Sequence, residues 1–261
     1  MKGIRKSEVQ RILMVLFFLM CWIPGARAEE KGQKELRKRF VNIHDVDPGI
    51  IVEMRYYGSH NFLGTRVRGY RAPKCILTKK AAKTLSKVQK EVSSFFLSLK
   101  IYDCYRPKKA VEHFVRWAKD LTDKKMKTEF YPNVDKKDLF DKGYIALRSS
   151  HSRGSAVDLT LVPVPVPEQS KFIKGQELKG CYLSGAERFK DNSIEMGSGF
   201  DCFDSVSHTA NSAAGIEALR NRLLLKSIME KHGFKNYSKE WWHYNLVDEP
   251  FPEKYFDFDI E

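Results

Sequence analysis

The sequence predicts an α+β fold, with a small central antiparallel sheet and helices packed on one side of it in a single domain. Three observations support this. Several segments carry apolar residues at helical spacing, short apolar stretches between them indicate strands, and the two kinds of element do not alternate in regular βαβ order. The chain has 261 residues, 42% of them hydrophobic, which is enough for one well-buried domain.

The first 28 residues are typical of a secretory signal peptide. Basic residues precede the apolar run 12–23, and Ala26-Arg27-Ala28 supplies a cleavage site of the small-x-small type. The run is shorter than the roughly 20 apolar residues that a membrane span needs. We therefore expect a signal peptide over 1–28, export to the periplasm or another extracytoplasmic compartment, and a mature domain over 29–261 without an integral membrane segment.

Two helices are predicted in the first half of the chain. Thr78 can cap a helix that continues to about Phe96. Pro107 can begin a second helix that continues to Leu121. The apolar face of the first helix is predicted to consist of Ala81, Leu85, Val88, Val92 and Phe95. That of the second is predicted to consist of Ala110, Val111, Phe114, Val115 and Ala118.

A third helix is predicted over 213–232, and strands are predicted over 99–104, up to Val162, and over 241–247. The proline-rich stretch 162–167 cannot continue as a paired central strand, because proline lacks an amide hydrogen. We expect it to be an extended connector at the surface. The apolar face of the third helix is predicted to consist of Ile216, Leu219, Leu223 and Ile228.

Four cysteines remain after removal of the signal peptide, an even number in a chain bound for an oxidising compartment. Two disulfide bonds are therefore predicted. Four cysteines allow three connectivities, of which the local one pairs Cys75 with Cys104 and Cys181 with Cys202. A four-cysteine zinc site would need paired C-x-x-C spacing, which the sequence lacks.

The formal net charge is +13, and it falls to +9 when the five basic residues and one acidic residue of 1–28 are removed. No nucleic-acid-binding motif and no stacking platform accompany this charge. Nucleic acid is therefore not expected as a partner. We interpret the charge as a solvated face suited to an anionic cell envelope.

The stretch SSHSRGSAVDLTL, residues 149–161, places His151 and Asp158 seven residues apart. On a regular strand these side chains would point to opposite faces. Gly154 permits a sharp turn, so His151 can lie on a loop while Asp158 projects from the following strand. Both can then bind one metal ion. Zinc is the economical candidate, since imidazole and carboxylate both bind it at about 2.0–2.2 Å.

A third ligand is predicted in Glu240-Trp241-Trp242-His243. His243 completes three protein ligands, which leaves one open position, as in catalytic zinc sites. Glu240 can reach the metal-bound water without binding the metal, provided that a turn or bulge offsets strand alternation. Burial beside a tryptophan would raise its pKa, which suits a base that later donates its proton.

The remaining histidines are interpreted differently. His208 is the best substitute ligand, although it has no neighbouring base. The others are interpreted as structural or surface residues: His44, His60, His113 and His232.

The motifs S-x-H-x-x-G-x-A-x-D at 149–158 and E-x-W-H at 240–243 resemble those of the zinc D-alanyl-D-alanine dipeptidases of the vancomycin-resistance type. These belong to a wider group of lysostaphin, D-Ala-D-Ala carboxypeptidase and hedgehog-like folds. The similarity extends through 61–64, 102–107 and 196–208, so it covers nearly all of the mature chain.

The resemblance implies one zinc ion on His151, Asp158 and His243, with Glu240 as catalytic base and Arg106 facing the reacting carbonyl. The implied reaction is hydrolysis of D-alanyl-D-alanine to two D-alanines, with a small dipeptide as the substrate. The chemistry of peptide hydrolysis supports this role for Arg106, because a fixed guanidinium in a dry site stabilises the negative charge that builds on the carbonyl oxygen.

Four further residues are candidates for contact with the substrate. Ser149 either binds a polar end of the substrate or serves only as a turn former. Tyr57, Asn61 and Phe62 either wall the pocket, together with Tyr56, or belong to the core.

Two alternatives remain open at this point. The first is a D,D-carboxypeptidase or endopeptidase that acts on longer peptidoglycan peptides, which needs an open groove. The second is a non-catalytic zinc module that binds an envelope peptide, and Glu240 argues against it, since a structural site has no use for a base. Export favours cell-wall turnover or D-alanine salvage over destruction of a cytoplasmic precursor. The sequence does not predict an oligomeric state.

Overall fold

A computed structural model describes residues 35–261, so the predicted signal peptide lies outside the described residues. Residues Val41–Glu261 form one compact unit. The unit has the predicted α+β architecture, with a five-stranded sheet and a two-stranded one. Within the described part of the chain, no helix combines the length and the apolar character that crossing a membrane requires.

The main sheet has the strand order β2-β4-β5-β7-β6. Its three pairs from β4 to β6 are antiparallel, as predicted, whereas β2 pairs with β4 in parallel. The small sheet pairs β1 with β3. The strands are β1 (Phe40–Asn42), β2 (Ile51–Val52), β3 (Ile76–Thr78), β4 (Leu97–Asp103), β5 (Ala156–Pro163), β6 (Phe234–Asn236) and β7 (His243–Leu246). The α-helices of this compact unit are α1 (Lys79–Ser93), α2 (Lys108–Lys119), α3 (Lys127–Phe130) and α4 (Ile216–Lys231).

Helix α1 begins where the sequence predicts it. The Thr78 side chain accepts a hydrogen bond from the backbone N–H of Ala81, which satisfies one of the open donors of the first turn. The helix ends at Ser93, earlier than predicted. Phe95 is 52% exposed, so its placement on the apolar face was wrong.

Helix α4 buries Ile228 as predicted, but the rest of its buried face differs from the predicted one. Ile216 and Leu223 are 72% and 54% exposed. Arg222 lies on the buried side instead, where its guanidinium donates hydrogen bonds to the carbonyl oxygens of Met196, Val206 and His208. Three backbone acceptors offset the loss of water around the charge, so a polar residue occupies a position that the apolar pattern excludes. The buried residues of the helix are Ala218, Arg222, Leu225, Ile228 and Met229.

The two faces of β4 and β5 differ in chemistry. On one face leucine and isoleucine lie opposite each other, as in the pairs Leu99 with Leu161 and Ile101 with Leu159. Helix α1 packs against β4, and α4 packs against α1 and β6, so these helices cover the apolar face. The other face has Lys100 opposite Thr160.

The long irregular segment after β5 covers this polar face. The Lys100 ammonium donates to the carbonyl oxygen of Asp191, and the Phe200 ring stacks on Tyr102 at 4.5 Å. The segment starts in the proline-rich stretch, where Val164 and Val166 are exposed, in agreement with the predicted surface connector.

Two disulfide bonds are present, Cys75–Cys104 and Cys181–Cys202. This is the local one of the three connectivities. The first joins the strand β3 region to the end of β4. The second lies within the irregular segment and restrains a part of the chain with little regular structure of its own.

Candidate active site

Asp158 and His243 face each other across two strands of the sheet. They are register partners on β5 and β7, so their side chains lie on the same face. The His243 Nδ1 atom is 2.9 Å from Asp158 Oδ1. This face is the polar one, opposite the face that α1 covers.

His151 reaches the same point from a loop. It lies in a 3-10 turn, Ser150–Arg153, which ends at Gly154 with φ 82°. This left-handed conformation favours glycine, as the sequence analysis expected. The His151 Nε2 atom is 3.2 Å from Asp158 Oδ1 and 3.1 Å from His243 Nδ1. The three predicted ligands therefore meet at one point.

The donor atoms of this cluster suit a divalent metal ion. Zinc binds imidazole and carboxylate at about 2.0–2.2 Å, which in a tetrahedral site separates the donor atoms by about 3.4 Å. The pairs that join His151, Asp158 and His243 are separated by 2.9, 3.1 and 3.2 Å. All three residues are at least nine-tenths buried. Two imidazoles and one carboxylate form the donor set of many catalytic zinc sites.

The ring of His151 is oriented by the backbone. Its Nδ1–H donates to the carbonyl oxygen of Cys104 at 2.6 Å. The proton is therefore on Nδ1, and the lone pair of Nε2 points into the cluster. Outer hydrogen bonds of this kind fix the tautomer of a metal-binding histidine.

His243 has the opposite arrangement, with Nδ1 in the cluster and Nε2 outside. Its Nε2 is 3.3 Å from Ser150 Oγ and 3.0 Å from Asn245 Nδ2. Asn245 Oδ1 is buried and has no hydrogen-bond partner among the described residues. Amide oxygen and nitrogen are assigned only from their partners. Rotating the Asn245 amide by half a turn gives Nε2–H an acceptor and satisfies the oxygen.

Glu240 lies beside the cluster because a turn precedes β7. The Glu240 N–H donates to Tyr237 O, and the His243 N–H donates to Glu240 O. The turn places Glu240 Oε2 3.8 Å from His243 Nδ1. Burial and the nearby Asp158 carboxylate raise the pKa of Glu240 to about 7. A carboxyl group with such a pKa can both accept and return a proton near neutral pH.

Arg106 is held against the cluster by Asp103. Its Nε and Nη2 atoms donate to Asp103 Oδ2 at 2.9 and 2.8 Å, and Nη2 lies 3.4 Å from Asp158 Oδ2. An irregular register between Ile101 and Asp103 makes Asp103 the partner of Asp158 across β4 and β5. Tyr70 donates to the second oxygen of Asp103 at 2.6 Å. This fully buried Asp103 was not singled out from the sequence.

A cavity of about 270 Å³ opens above these groups. Both Glu240 and Arg106 line it, together with the three cluster residues. Its walls combine polar residues with seven aromatic ones, which are Tyr56, Phe62, Phe114, Tyr144, Phe203, Tyr237 and Trp242.

The cavity wall contains one further carboxyl group, which was not predicted from the sequence. Asp201 Oδ2 accepts a hydrogen bond from the Tyr56 hydroxyl at 2.8 Å. Burial and the Asp158 charge raise the pKa of Asp201 well above its ordinary value. A cation bound beside Asp201 would stabilise the carboxylate form of this group.

The four candidate substrate residues separate into two pairs. Ser149 and Phe62 line the cavity, whereas Tyr57 and Asn61 do not. The Asn61 amide is fully buried, and its nitrogen lies within hydrogen-bond distance of three backbone carbonyl oxygens of its own loop. The Tyr57 ring lies 4.5 Å from the Arg66 guanidinium. His208, the substitute ligand, is also outside the cluster.

Comparison with known proteins gives a consistent result. The family model described as D-ala-D-ala dipeptidase matches residues 37–164 and 168–261. A D-alanyl-D-alanine dipeptidase of Enterococcus faecalis is 36% identical over 221 residues, which covers 85% of this chain and 98% of the relative. One from Streptomyces coelicolor is 36% identical over 222 residues, with the same coverage. One from Escherichia coli is 30% identical over 206 residues, or 79% of this chain and 83% of the relative.

Proposed function

The chain belongs to the D-Ala-D-Ala dipeptidase family of peptidases, and from this premise we propose that it hydrolyses free D-alanyl-D-alanine to two D-alanines with one zinc ion per chain. One observation carries the proposal: Glu240 and three side chains that could hold a metal ion converge in a single small cavity. The relatives named as D-alanyl-D-alanine dipeptidases support the choice of substrate.

His151, Asp158 and His243 would hold the metal ion. When bound, zinc supplies Lewis acidity, which polarises a carbonyl group and lowers the pKa of a water molecule. The chain's contribution is to keep the two imidazole lone pairs and the carboxylate pointed at one position. The Cys104 carbonyl does this for His151, and Ser150 and Asn245 do it for His243.

Glu240 is the proposed proton carrier. Its carboxylate accepts a proton from the attacking water, whose oxygen forms a bond to the peptide carbonyl carbon. The carbon–nitrogen bond then breaks, and Glu240 returns the proton to the leaving amine. A pKa of about 7 matches this double task near neutral pH.

Arg106 is proposed to stabilise the carbonyl oxygen as negative charge builds on it. Its guanidinium is fixed by Asp103 before substrate arrives, so little reorganisation is needed during the reaction. Ser149 Oγ lies 3.4 Å from Nη1 of the same guanidinium, and we propose that it binds a polar group of the substrate.

Asp201 favours the free dipeptide over longer peptides. A dipeptide carries an ammonium group, which can pair with the Asp201 carboxylate in the cavity wall. An N-acylated peptide lacks that charge and would leave the Asp201 carboxyl group with the Tyr56 hydrogen bond alone. The cavity of about 270 Å³ is also slightly smaller than the roughly 300–1,000 Å³ typical of small-molecule sites.

We also propose that the chain is exported after removal of residues 1–28. The basic and apolar pattern of the N-terminus supports this. The two disulfide bonds fit an oxidising compartment, where such bonds persist. In that location the enzyme would serve cell-wall turnover or D-alanine salvage.

Release of D-alanine by the zinc-loaded protein tests the proposal, with the free dipeptide and its N-acetylated form compared at equal concentration. We expect the free dipeptide to be cleaved and the acylated one to be poorly cleaved. Similar rates on both would favour the D,D-carboxypeptidase alternative. Zinc binding without hydrolysis of either peptide would favour a binding module.

A further inference from the structure

Four large apolar side chains are exposed together at one end of the sheet. Phe95, Phe96, Val164 and Val166 are 52%, 77%, 47% and 44% exposed. They flank the start of β4 and the end of β5, and the Val164 N–H donates to Phe96 O at 2.8 Å. We call these four residues the apolar tip. Large apolar side chains that are exposed in one region are typical of an interaction site, whereas single ones are scattered over ordinary surface.

The backbone at the tip adds to this observation. Phe96 has φ 57°, in the left-handed region that a bulky residue rarely adopts. Such strain persists only where the surrounding structure imposes it, and it is concentrated at functional positions. Here the strained residue is the most exposed of the four, so the strain is not offset by burial of the ring.

A row of lysines leads along α1 to the tip. Lys79, Lys83, Lys87 and Lys90 are exposed. At 3.6 residues per turn they fall within an arc of about 80° on the helix surface. We call these four residues the lysine stripe. Its last member precedes the first residue of the apolar tip by five positions in the sequence.

The carboxylates near the lysine stripe already have partners. Glu91 pairs with Lys231 and His232, and Asp248 pairs with Lys80. No ion pair joins a lysine of the stripe to another residue in the range 35–261 that the structure describes. The stripe therefore presents four positive charges to solvent.

We propose that the lysine stripe and the apolar tip together dock the chain on the surface of an anionic phospholipid bilayer. Lysines near such a surface attract its headgroups, and exposed aromatic and aliphatic side chains enter the headgroup and acyl boundary. Lysine suits a diffuse layer of charge, because its ammonium is a point charge on a flexible stem.

Other occupants fit this surface less well. A second copy of the chain on the same surface would bring two lysine stripes together, and like charges repel. The two valines have no aromatic face on which a nucleic acid base could stack. An acyl chain can contact all four side chains of the tip.

The position of the surface leaves the candidate active site accessible. Asp158 lies near the start of β5, and Val164 directly follows the end of this strand. About six residues at roughly 3.3 Å per residue place the two residues about 20 Å apart. Helix α1 also covers the apolar face of the sheet, whereas the cluster of His151, Asp158 and His243 lies on the other face. The docked chain would keep its cavity open to solvent. This inference does not depend on the substrate.

Sedimentation with vesicles tests the inference, with phosphatidylglycerol mixed into phosphatidylcholine and pure phosphatidylcholine as the neutral case. All proteins are prepared without residues 1–28, so that the apolar run 12–23 does not contribute to binding. We expect binding to the anionic vesicles that weakens with added salt. Each lysine near the surface contributes about fivefold to partitioning, so K79Q/K83Q/K87Q/K90Q should bind several hundred-fold more weakly.

A matched control removes the same charge elsewhere, in K119Q/K124Q/K137Q/K174Q, four exposed lysines outside the stripe. We expect this control to bind within about tenfold of the unmodified protein. Phe96→Asn tests the tip, since asparagine tolerates a positive φ; binding should fall about tenfold with hydrolytic activity unchanged.

Three results would overturn the inference. The first is equal loss of binding in the two quadruple variants, which would show a diffuse charge effect. The second is binding to neutral vesicles as tight as to anionic ones. The third is concentration-dependent dimerisation in sedimentation velocity that Phe96→Asn abolishes, which would assign the tip to a second copy of the chain.

Discussion

The Nδ1 atom of His151 donates a hydrogen bond to the carbonyl oxygen of Cys104 at 2.6 Å, and Cys104 is itself bonded to Cys75. The disulfide thus restrains the backbone that orients a proposed metal ligand. Its role is therefore not limited to the unfolded state, where a cross-link ordinarily has its main effect.

Replacement of this disulfide in Cys75→Ala/Cys104→Ala should reduce both stability and metal binding. We expect the free energy of unfolding to fall by about 3 kcal/mol. Zinc affinity should fall by less than the about 10–100-fold that complete loss of an outer hydrogen bond causes, because residue 104 keeps its carbonyl oxygen and loses only the restraint on its position. Urea denaturation and competition with a chelator measure the two quantities. Cys181→Ala/Cys202→Ala is the matched control, and it should lose similar stability but keep its zinc affinity.

Replacement of Glu240 should remove activity but not zinc binding, whereas replacement of His243 should remove both. In Glu240→Gln we expect D-alanine release to fall by about 10²–10⁴-fold while zinc stays bound, because the proton carrier is lost and the ligands are intact. In His243→Ala the zinc should be lost as well. Metal analysis of the purified variants, together with the D-alanine assay, separates the two effects. Undiminished turnover in Glu240→Gln would remove the proposed role of this residue.

The positions of the proposed ligands follow from local sequence signals. The seven-residue spacing of His151 and Asp158 is compatible with one shared site only if Gly154 makes a turn, and glycine is the residue that permits one. Glu240 can reach the site beside His243 only if a turn or a bulge offsets strand alternation, and the chain makes a turn there. These are short-range requirements that a single sequence contains.

Asp103 and Asp201 depend on long-range structure. Asp103 becomes the partner of Asp158 only through the irregular register of β4 and β5. Asp201 reaches the cavity wall beside Tyr56 from a position 145 residues further along the chain. Neither arrangement could be predicted from neighbouring residues in the sequence.

The position of Asn245 could be predicted. It follows His243 by two positions, and residues two apart on a strand lie on the same face of the sheet.

The helices of the fold were also predictable where the sequence has a regular apolar pattern, whereas its shortest elements were not. Helices α1 and α2 have regular apolar periodicity, and both are present close to their predicted ranges. Helix α4 is present, but Arg222 on its buried side displaced the predicted face. The elements β1, β3, β6 and α3 have three or four residues each, which is too short for a periodic pattern to show.

Asn245 should act on metal binding as a positioning residue. Leucine has nearly the same shape but offers no acceptor to His243 Nε2–H, so Asn245→Leu should bind zinc about 10–100-fold more weakly. Asn245→Asp keeps an acceptor and should retain most of the affinity. Proton NMR of the zinc-loaded protein gives an independent readout, since the Nε2–H of His243 should exchange with solvent faster in the leucine variant alone. Equal affinities in the leucine and aspartate variants would contradict this role.

His60 gives a prediction about stability and pH. It is 8% exposed and lies between two charged groups: Arg55 Nη1 donates to its Nδ1 at 2.8 Å, and its Nε2–H donates to Glu129 at 2.6 Å. The ring also stacks on Phe172 at 4.1 Å. Burial and the Arg55 charge lower the pKa of His60, and Glu129 opposes this only in part. The folded chain therefore holds this imidazole neutral.

The sign of the effect follows from proton binding in the two states. Below the unfolded pKa of about 6.5, the unfolded chain takes up a proton at His60 that the folded chain refuses, so acid favours unfolding. The contribution of His60 to stability is complete above that pKa and decreases as the pH falls towards the lower folded pKa. Urea denaturation at about pH 7.5 and about pH 5 measures how much the free energy of unfolding falls in acid. The fall should be smaller in His60→Gln than in the unmodified chain, because glutamine keeps a donor and an acceptor but does not titrate. The same loss in both proteins would mean that other groups carry the acid sensitivity, and an NMR titration of His60 with a pKa at or above the ordinary value would contradict the argument directly.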